Sequence, residues 1–328
     1  MYNDLNNGKK YLSYSDVPVL LIGFNRPEFI KARVNELSHM PIEKLYISID
    51  GGDYENYNEM LEALNWSKEK LKHLDFLQIY THGENLGLVS HITSSITTIL
   101  KKHSHLVIVE DDVALARNFF INMVKGFNHQ ITTGNKGIIG GFSAINCSNY
   151  GIFENKWRKS KYCVIWGWGC SAEIWRDYNS RLDENKFEKD LTRSKTWANL
   201  SNFQQQVWKG RFRKTIINPN FTWDIQLQYL SFSNDFVNLY PISSLTRNLG
   251  YSDERSTNTK NTKPRWMTLT KPDDRVVSTK SIFYLTKKFF EIFDANFFMS
   301  DTKFIHWWNH KKHRFNFFKT SLKGLILD

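Results

Sequence analysis

Three consecutive acidic residues, Glu110, Asp111 and Asp112, directly follow the apolar run LVIV. Such a run is typical of a buried strand, and ligands of open α/β sheets bind outside the carboxyl ends of the strands. Adjacent carboxylates repel one another unless a cation neutralises them, and oxygen ligands suit Mg²⁺ or Mn²⁺ that also coordinate substrate phosphates. The pattern predicts a metal site. The alternative is a solvated acidic turn at the start of the next helix.

Polar residues also follow the other candidate strands. Asp50 ends the run LYISID, where its carboxylate could accept hydrogen bonds from a ribose or a base, although an Asp before Gly-Gly is also a common turn residue. Arg26 follows the first strand and could bind a base or a phosphate. Asn85 stands between the third strand and a helix, where backbone N–H groups could meet a nucleotide. The sequence shows neither GxGxxG after the first strand nor GxxxxGK[ST], so the dinucleotide and P-loop signatures are missing.

The second half of the chain is rich in aromatic residues. The segment WGWG, which contains Trp166, Gly167 and Trp168, combines flat rings that could stack on sugars with glycines that allow close backbone approach; a packed aromatic corner is the alternative. Further on, Trp223 precedes Asp224 at the start of the helical pattern DIQLQYL. An Asp there is an N-cap by default, or a general base that deprotonates an acceptor hydroxyl.

Basic residues downstream offer further contacts for a diphosphate. Either Arg247 or a basic run could reach it, and for the run a solvated surface is the alternative. The run consists of Lys209, Arg211, Arg213 and Lys214.

The elements that must position these residues alternate between short apolar runs and helical patterns. Strand candidates lie at 17–24, 45–50, 76–80, 105–112 and 137–145, with helices between them. This alternation predicts an α/β fold with a Rossmann-like, mainly parallel sheet flanked by helices. We expect a Rossmann-like half at 1–150, an irregular second half of the same domain at 151–274, and a helical, basic, aromatic C-terminal appendage at 275–328.

Composition narrows the class of protein. The 328 residues are 41% hydrophobic and carry a net charge of +11, which fits a globular protein with anionic partners. The polar N-terminus lacks the apolar run of a secretory signal, and no run reaches the ~20 apolar residues of a membrane span, so we expect a cytoplasmic protein. Three cysteines form no CxxC pair and are interpreted as reduced.

The basic C-terminal appendage and the net positive charge are compatible with more than one binding partner. Trp307, Trp308 and the basic residues of 275–328 suit an anionic membrane surface, which would make the protein peripheral on the inner face of the plasma membrane; packing back on the domain is the alternative. We expect no nucleic-acid partner, because such a partner gives no reason for acids at the strand ends.

Taken in order over about 17–260, these segments resemble the GT-A glycosyltransferases, most closely the N-acetylglucosaminyltransferase I-like group and related bacterial surface-polysaccharide sugar transferases. The segments that carry the resemblance are IGFNRPE, SIDGG, VIVEDDVALARNFF, VIWGWGCSAEIW, FTWDIQLQY and PISSLTRNLG. The resemblance implies the following roles: Arg26 on the nucleotide, Asp50 on the uracil or ribose, Glu110 and Asp111 beside ribose and donor, Asp112 as the Mn²⁺ or Mg²⁺ ligand, and Asp224 as catalytic base.

The resemblance implies that 1–150 is the nucleotide-sugar-binding half and that 151–274 is the acceptor-side catalytic half. The implied activity is metal-dependent, inverting transfer of a sugar from a UDP-linked donor to a hydroxyl of a glycan or lipid-linked acceptor, in bacterial cell-surface polysaccharide synthesis. Two other classes stay open. A sugar nucleotidyltransferase should show a Gly-rich, Arg-containing loop after its first strand, which GFNRPE is not. A non-catalytic nucleotide- or sugar-binding protein would bind the same ligands without turnover.

Overall fold

The N-terminal half alternates strands and helices as the sequence predicts. The computed structural model describes residues 11–52, 55–143, 156–252, 272–279, 291 and 294. The elements of this half are β1 (Val19–Gly23), α1 (Pro27–Leu37), β2 (Lys44–Ile49), α2 (Tyr57–Lys70), β3 (Phe76–Thr81), α3 (Leu88–Leu100), β4 (His105–Glu110), β5 (Val113–Leu115), α4 (Phe119–Thr133) and β6 (Ile139–Gly140).

The later elements are shorter and more irregular. Two short 3₁₀ turns cover Tyr14–Asp16 and Gly250–Ser252. The elements are β7 (Trp157–Ser160), β8 (Trp168–Ser171), α5 (Ala172–Arg176), α6 (Phe187–Thr192), α7 (Lys195–Ala198), α8 (Asn202–Ile217), α9 (Asp224–Ser233), β9 (Asn238–Pro241) and β10 (Thr246–Asn248).

One large sheet organises the described residues. Its eight strands have the order β3-β2-β1-β4-β8-β6-β9-β7. The first four strands are all parallel, whereas β8 is antiparallel to both β4 and β6. The predicted α/β class with a Rossmann-like sheet flanked by helices is confirmed. Because β8 and β9 lie in the same sheet as β6, the segments 1–150 and 151–274 share one core, and their division into two functional halves stays a prediction.

The sheet buries apolar side chains on both faces, which explains the unbroken apolar runs of its strands. Val19 and Leu21 pack with α1, α2 and α4 on one face. Leu20 and Ile22 pack with α3, α5 and α9 on the other. A separate cluster that includes Tyr162, with α6 to α9 around it, extends the second half away from the sheet.

Some local expectations need correction. The N-cap of α1 is Arg26, a residue singled out above only as a ligand contact, and Pro27 occupies the first helical position. The strand expected at 137–145 is only Ile139–Gly140 within the described residues. A second, two-stranded sheet pairs β5 with β10 antiparallel, and the sequence did not indicate it. Cys163 and Cys170 carry free thiols as expected, and Cys147 lies outside the described residues.

The beginning of the expected C-terminal appendage packs on the domain. The Val277 N–H donates to Asn122 Oδ1 at 2.8 Å, and Asn122 Nδ2 donates to the Arg275 carbonyl at 3.2 Å. The Trp157 N–H donates to the Ser278 carbonyl at 3.2 Å. Most of 275–328, including Trp307 and Trp308, lies outside the described residues. Among the described residues, no helix has the length and apolar character needed to cross a membrane.

The contact between Arg158 and Asp294 yields a test of this packing. Arg158 Nη1 lies 2.5 Å from Asp294 Oδ2, and both side chains are buried. Asp294→Ala removes a buried ion-pair partner of Arg158, so we expect the free energy of unfolding to fall by roughly 3 kcal/mol. The measurement is urea unfolding followed by circular dichroism. Glu291→Ala, on an exposed position three residues earlier, is the control and should change it by less than about 0.5 kcal/mol. Equal effects of the two substitutions would contradict the docking of Asp294.

Candidate active site

A cleft of about 490 Å³ opens at the carboxyl ends of β1, β2 and β4. This is the edge at which ligands of open α/β sheets bind. The second half of the chain closes the opposite side with the start of α9. Nine side chains singled out from the sequence line the cleft: Arg26, Asp50, Asn85, Glu110, Asp111, Asp112, Trp166, Trp223 and Asp224.

Arg26 neutralises the acidic end of β4. Its Nη2 lies 2.5 Å from Asp111 Oδ1, and its Nε donates to Asp111 Oδ2 at 3.3 Å. Its Nη1 lies 3.2 Å from Asp112 Oδ2, so one guanidinium bridges two carboxylates. The fork of N–H donors on Arg matches such a bidentate geometry. Arg26 reaches this position because β1 and β4 are parallel neighbours in the sheet.

Glu110 is the least compensated of the three acids. Its Oε1 is buried and accepts no hydrogen bond from the described part of the chain. Burial raises the pKa of Glu110 well above its usual value, and the charges of Asp112 and Asp111 add to this shift. Burial also raises the pKa of Asp111, while the Arg26 guanidinium lowers it. The strand end therefore holds more carboxylates than one arginine can balance, as expected of a site that takes up a further cation.

The β5–β10 ribbon holds Asp112 in place. The Leu249 N–H donates to the Asp112 carbonyl at 2.7 Å, and the register of the ribbon pairs Asn248 with Val113. A Cβ atom added to Gly250 would lie 2.3 Å from Asp112 Oδ2, so the backbone passes directly against the carboxylate. Asn248 itself lines the cleft. The ribbon thus brings a distant segment of the chain to the predicted metal ligand.

Asp50 has a structural task as well as a place in the cleft. Its Oδ1 accepts hydrogen bonds from the N–H groups of Gly51 and Leu86, both at 2.9 Å. These bonds fix the loop that carries Asn85. Asp50 Oδ2 accepts no hydrogen bond from the described residues. This second carboxylate oxygen is therefore available for a ligand. The turn role and the ligand role inferred from the sequence are therefore compatible.

Asp224 faces the acids from the opposite wall. It is the first residue of α9, whose N-cap is Trp223, so Asp224 does not take the N-cap role that its position suggested. The Thr222 hydroxyl donates to Asp224 Oδ1. The Tyr178 hydroxyl donates to the Trp223 carbonyl at 2.9 Å and fixes the start of the helix. A half-buried carboxylate is thereby aimed into the cleft with its second oxygen free of these contacts.

The two tryptophans of the WGWG segment have different positions. Trp166 is half-buried on the cleft wall, in edge-to-face contact with Phe142 at 4.6 Å between ring centroids. Trp168, expected to face a sugar, instead lies fully buried on β8, stacked on Trp223 at 5.5 Å. Trp223 lines the cleft but is only 2% exposed. Trp168 therefore corresponds to the alternative interpretation, a packed aromatic corner.

Gly167 and Arg247 are placed beside the cleft rather than in its wall. Gly167 has φ +69°, and a Cβ atom there would lie 2.7 Å from Thr246 Cγ2. Its carbonyl accepts a hydrogen bond from the Gly141 N–H at 2.7 Å. Gly167 therefore allows its backbone to pack closely against that of Gly141. Arg247 lies on β10 opposite Ala114, and a diphosphate contact from it stays a prediction. None of the four described cations of the basic run, 209–214, lines the cleft.

Sequence reasoning missed several residues of the wall. His91 is buried, and its Nε2 lies 2.8 Å from Ser48 Oγ. Burial lowers the pKa of His91 to about 4, with Asp50 opposing the shift, so the ring is neutral at pH 7. A signal was present, because the helical period places Leu88, His91 and Ile92 on one face of α3. The other lining residues not singled out are Ile22, Gly23, Phe24, Asn25, Gly87, Ile165, Thr222 and Asn248.

The donor atoms suit a divalent cation, although the described residues form no closed site. Among them, no three His, Cys, Asp or Glu side chains are grouped so as to hold a metal ion. Mg²⁺ and Mn²⁺ are commonly held by one or two carboxylates together with substrate phosphates, so a single exposed ligand can suffice. Asp112, 15% exposed and beside the uncompensated Glu110, fits that requirement.

Comparisons with known proteins find similar structures but no sequence relative. No family model matches the chain, and no curated protein matches it. A mannosyltransferase from Pyrobaculum calidifontis, solved with GDP-Man and Mn²⁺, is 13% identical with a TM-score of 0.38, over 66% of this chain and 69% of that one. S. aureus TarS is 11% identical with a TM-score of 0.36, over 52% of this chain and 31% of that one.

A third similar structure belongs to another class of enzyme. It is a putative glucose-1-phosphate thymidylyltransferase from Bacillus anthracis, 10% identical with a TM-score of 0.39, over 81% of this chain and 98% of that one. At these identities and TM-scores the similarities assign no function, and we derive it from the cleft.

The contact of Gly250 with Asp112 can be tested by adding one methyl group. Gly250→Ala would push Asp112 away, because the new Cβ would overlap its carboxylate. We expect the affinity for Mn²⁺ in the presence of a nucleoside diphosphate to fall about tenfold, or ~1.4 kcal/mol, by isothermal calorimetry. Gly83→Ala, where a Cβ would meet nothing within 4 Å, is the control. Unchanged Mn²⁺ affinity in Gly250→Ala would show that Asp112 does not need this position.

Proposed function

We propose that this protein is a metal-dependent glycosyltransferase that uses a nucleotide-sugar. The observation that carries the proposal is the arrangement of two acidic walls across one cleft. Glu110, Asp111 and Asp112 with Arg26 form one wall, and Asp224 forms the other. A diphosphate with its cation suits the first wall, and a reacting hydroxyl suits the second. The GT-A resemblance of the sequence supports the same assignment.

The cation would be held by Asp112. Bound there, Mn²⁺ or Mg²⁺ would neutralise the charge that builds on the departing nucleoside diphosphate. Arg26 lies within reach of the same phosphates, because its guanidinium already contacts Asp112. Asp50, with its second oxygen free, would bind the ribose or base, and Asn85 would lie beside them on the loop that Asp50 fixes.

Asp224 would act as the general base. It would accept the proton of the acceptor hydroxyl as that oxygen bonds to the anomeric carbon and the bond to the diphosphate breaks. Attack from the wall opposite the leaving group inverts the anomeric configuration in one displacement. Trp166, half-buried in the lining of the cleft, would contact the sugar.

The narrower assignments rest on the sequence resemblance. They are a UDP-linked donor, similarity to the N-acetylglucosaminyltransferase I-like group, and a hexosyl or N-acetylhexosaminyl residue as the transferred sugar. The acceptor would be a glycan or a lipid-linked sugar of bacterial cell-surface polysaccharide synthesis, met in the cytoplasm at the inner membrane face. No nucleic acid enters this proposal.

The donor site is tested by a calorimetric titration with UDP, GDP, CMP and dTDP, each with Mn²⁺ and with EDTA. We expect one nucleotide to bind in the presence of Mn²⁺ and at least tenfold more weakly with EDTA, because its phosphates need the cation. Asp112→Ala should lose this Mn²⁺ dependence, while Asp183→Ala, an exposed acid, should keep it. Failure of every nucleotide to bind with Mn²⁺ would reject the proposal.

The role of Asp224 separates a transferase from a binding protein. Asp224→Asn keeps the shape but removes the base, so we expect turnover to fall about 10³-fold with nucleotide affinity unchanged. Turnover is measured as nucleoside diphosphate released from the nucleotide-sugar in an acceptor screen. The control is Asp177→Asn, an exposed position after α5. If wild type turns over and Asp224→Asn matches it, another group is the base.

A further inference from the structure

Helix α8 has apolar residues on both of its faces. Its inner face buries Trp208, Phe212 and Thr215 in the cluster of the second half. Its outer face carries Phe203 and Ile217, which are 62% and 84% exposed. These are the two most exposed large hydrophobic side chains among the described residues. A surface helix ordinarily turns charged and polar residues toward water, so this outer face departs from the pattern.

The apolar surface continues beyond the end of the helix. Phe221, in the turn after α8, is 47% exposed. The Lys214 ammonium lies 4.4 Å from the centroid of its ring. We call Phe203, Lys214, Ile217 and Phe221 the α8 patch. Between Phe203 and Ile217 the same outer face carries Gly210 and the exposed polar side chains Gln206 and Arg213, so the apolar surface is concentrated at the C-terminal end of the helix.

The charge on the chain segment that carries the patch is positive. Residues 202–221 contain four cations and neither Asp nor Glu. Two of the cations, Lys209 and Arg213, lie near Glu188 at 3.3 and 2.5 Å, so only part of the positive charge is balanced there. Exposed apolar side chains flanked by Lys and Arg are the composition of interfacial helices that lie on anionic bilayers. Each cation near such a surface strengthens binding about fivefold.

The patch lies next to the cleft along the chain. Phe221 directly precedes Thr222, whose side chain contacts Asp224, and both Thr222 and Asp224 line the cleft. A surface that takes up Phe221 would therefore lie at the rim where Asp224 meets its acceptor. This position suits an acceptor presented from the same surface.

We propose that the α8 patch docks the protein on an anionic phospholipid bilayer, with Ile217 and Phe221 inserted among the head groups and Lys214 above the lipid phosphates. This surface is distinct from the segment 275–328. The docking itself does not depend on the glycosyltransferase assignment, whereas the delivery of a lipid-linked acceptor to Asp224 rests on it.

The test is flotation of the full chain with vesicles of phosphatidylcholine alone or with 30% phosphatidylglycerol. We expect binding to the anionic vesicles only, weakened by salt. Ile217→Asp should reduce the partition coefficient at least tenfold, because it places a carboxylate in the head-group region. Lys214→Ala should reduce it about fivefold, in line with the loss of one cation. The matched control is Leu61→Asp, a 38% exposed position on α2, which should bind as wild type does.

The outcomes discriminate between alternatives. The proposal is overturned if the wild-type protein does not bind anionic vesicles. It is also overturned if the Ile217→Asp variant floats with them as the wild type does. Loss of a dimer in Ile217→Asp, seen by light scattering without vesicles, would assign the face to a second copy of this chain and also overturn it. Nucleotide binding with Mn²⁺ is measured on each variant. If it persists in Ile217→Asp, the loss of vesicle binding is separate from the donor site.

Discussion

The bridge from Arg26 to Asp111 and Asp112 is the interaction on which the cleft depends. Three carboxylates end β4 in a largely buried position, and mutual repulsion would force them apart if no cation were present. Arg26 comes from the end of β1, the parallel neighbour of β4, so the pairing of these two strands sets the distance between charge and counter-charge. The fold thereby maintains a negative strand end that is compensated only in part, since Glu110 Oε1 has no partner among the described residues.

This partial compensation gives the cleft its chemical preference. A dianionic phosphate alone would meet repulsion from Asp112 and Asp224, whereas a phosphate that arrives with a divalent cation would be attracted. Asp112 is well suited to receive the cation, because the β5–β10 ribbon and the closely packed Gly250 restrict its carboxylate. A restricted ligand loses little conformational freedom on binding. The proposed metal-dependent chemistry therefore uses an electrostatic imbalance that is already present in the free protein.

The sequence predicted the strand-end residues because a local pattern places them. Buried parallel strands read as continuous apolar runs, and the residue after each run must lie at the same edge of the sheet, which located Arg26, Asp50 and Asp112. The positions of residues that depend on long-range strand pairing were harder to predict from the sequence. Trp166 and Trp168 stand two apart, and only the insertion of β8 between β4 and β6 decides which one is buried. The apolar pattern on both faces of α8 likewise cannot tell the inner face from the outer one.

Asp224 depends on this long-range packing more than any other residue of the cleft. Its helix begins where Trp223 stacks on Trp168, which in turn lies on a strand hydrogen-bonded to β4. The aromatic stack thus connects the wall that carries Asp224 to the strand that carries Glu110. Burial of these large aromatic rings contributes several kcal/mol and stabilises this connection. The buried tryptophans therefore contribute to the cleft through geometry, by holding two groups of like charge on opposite sides of one cavity.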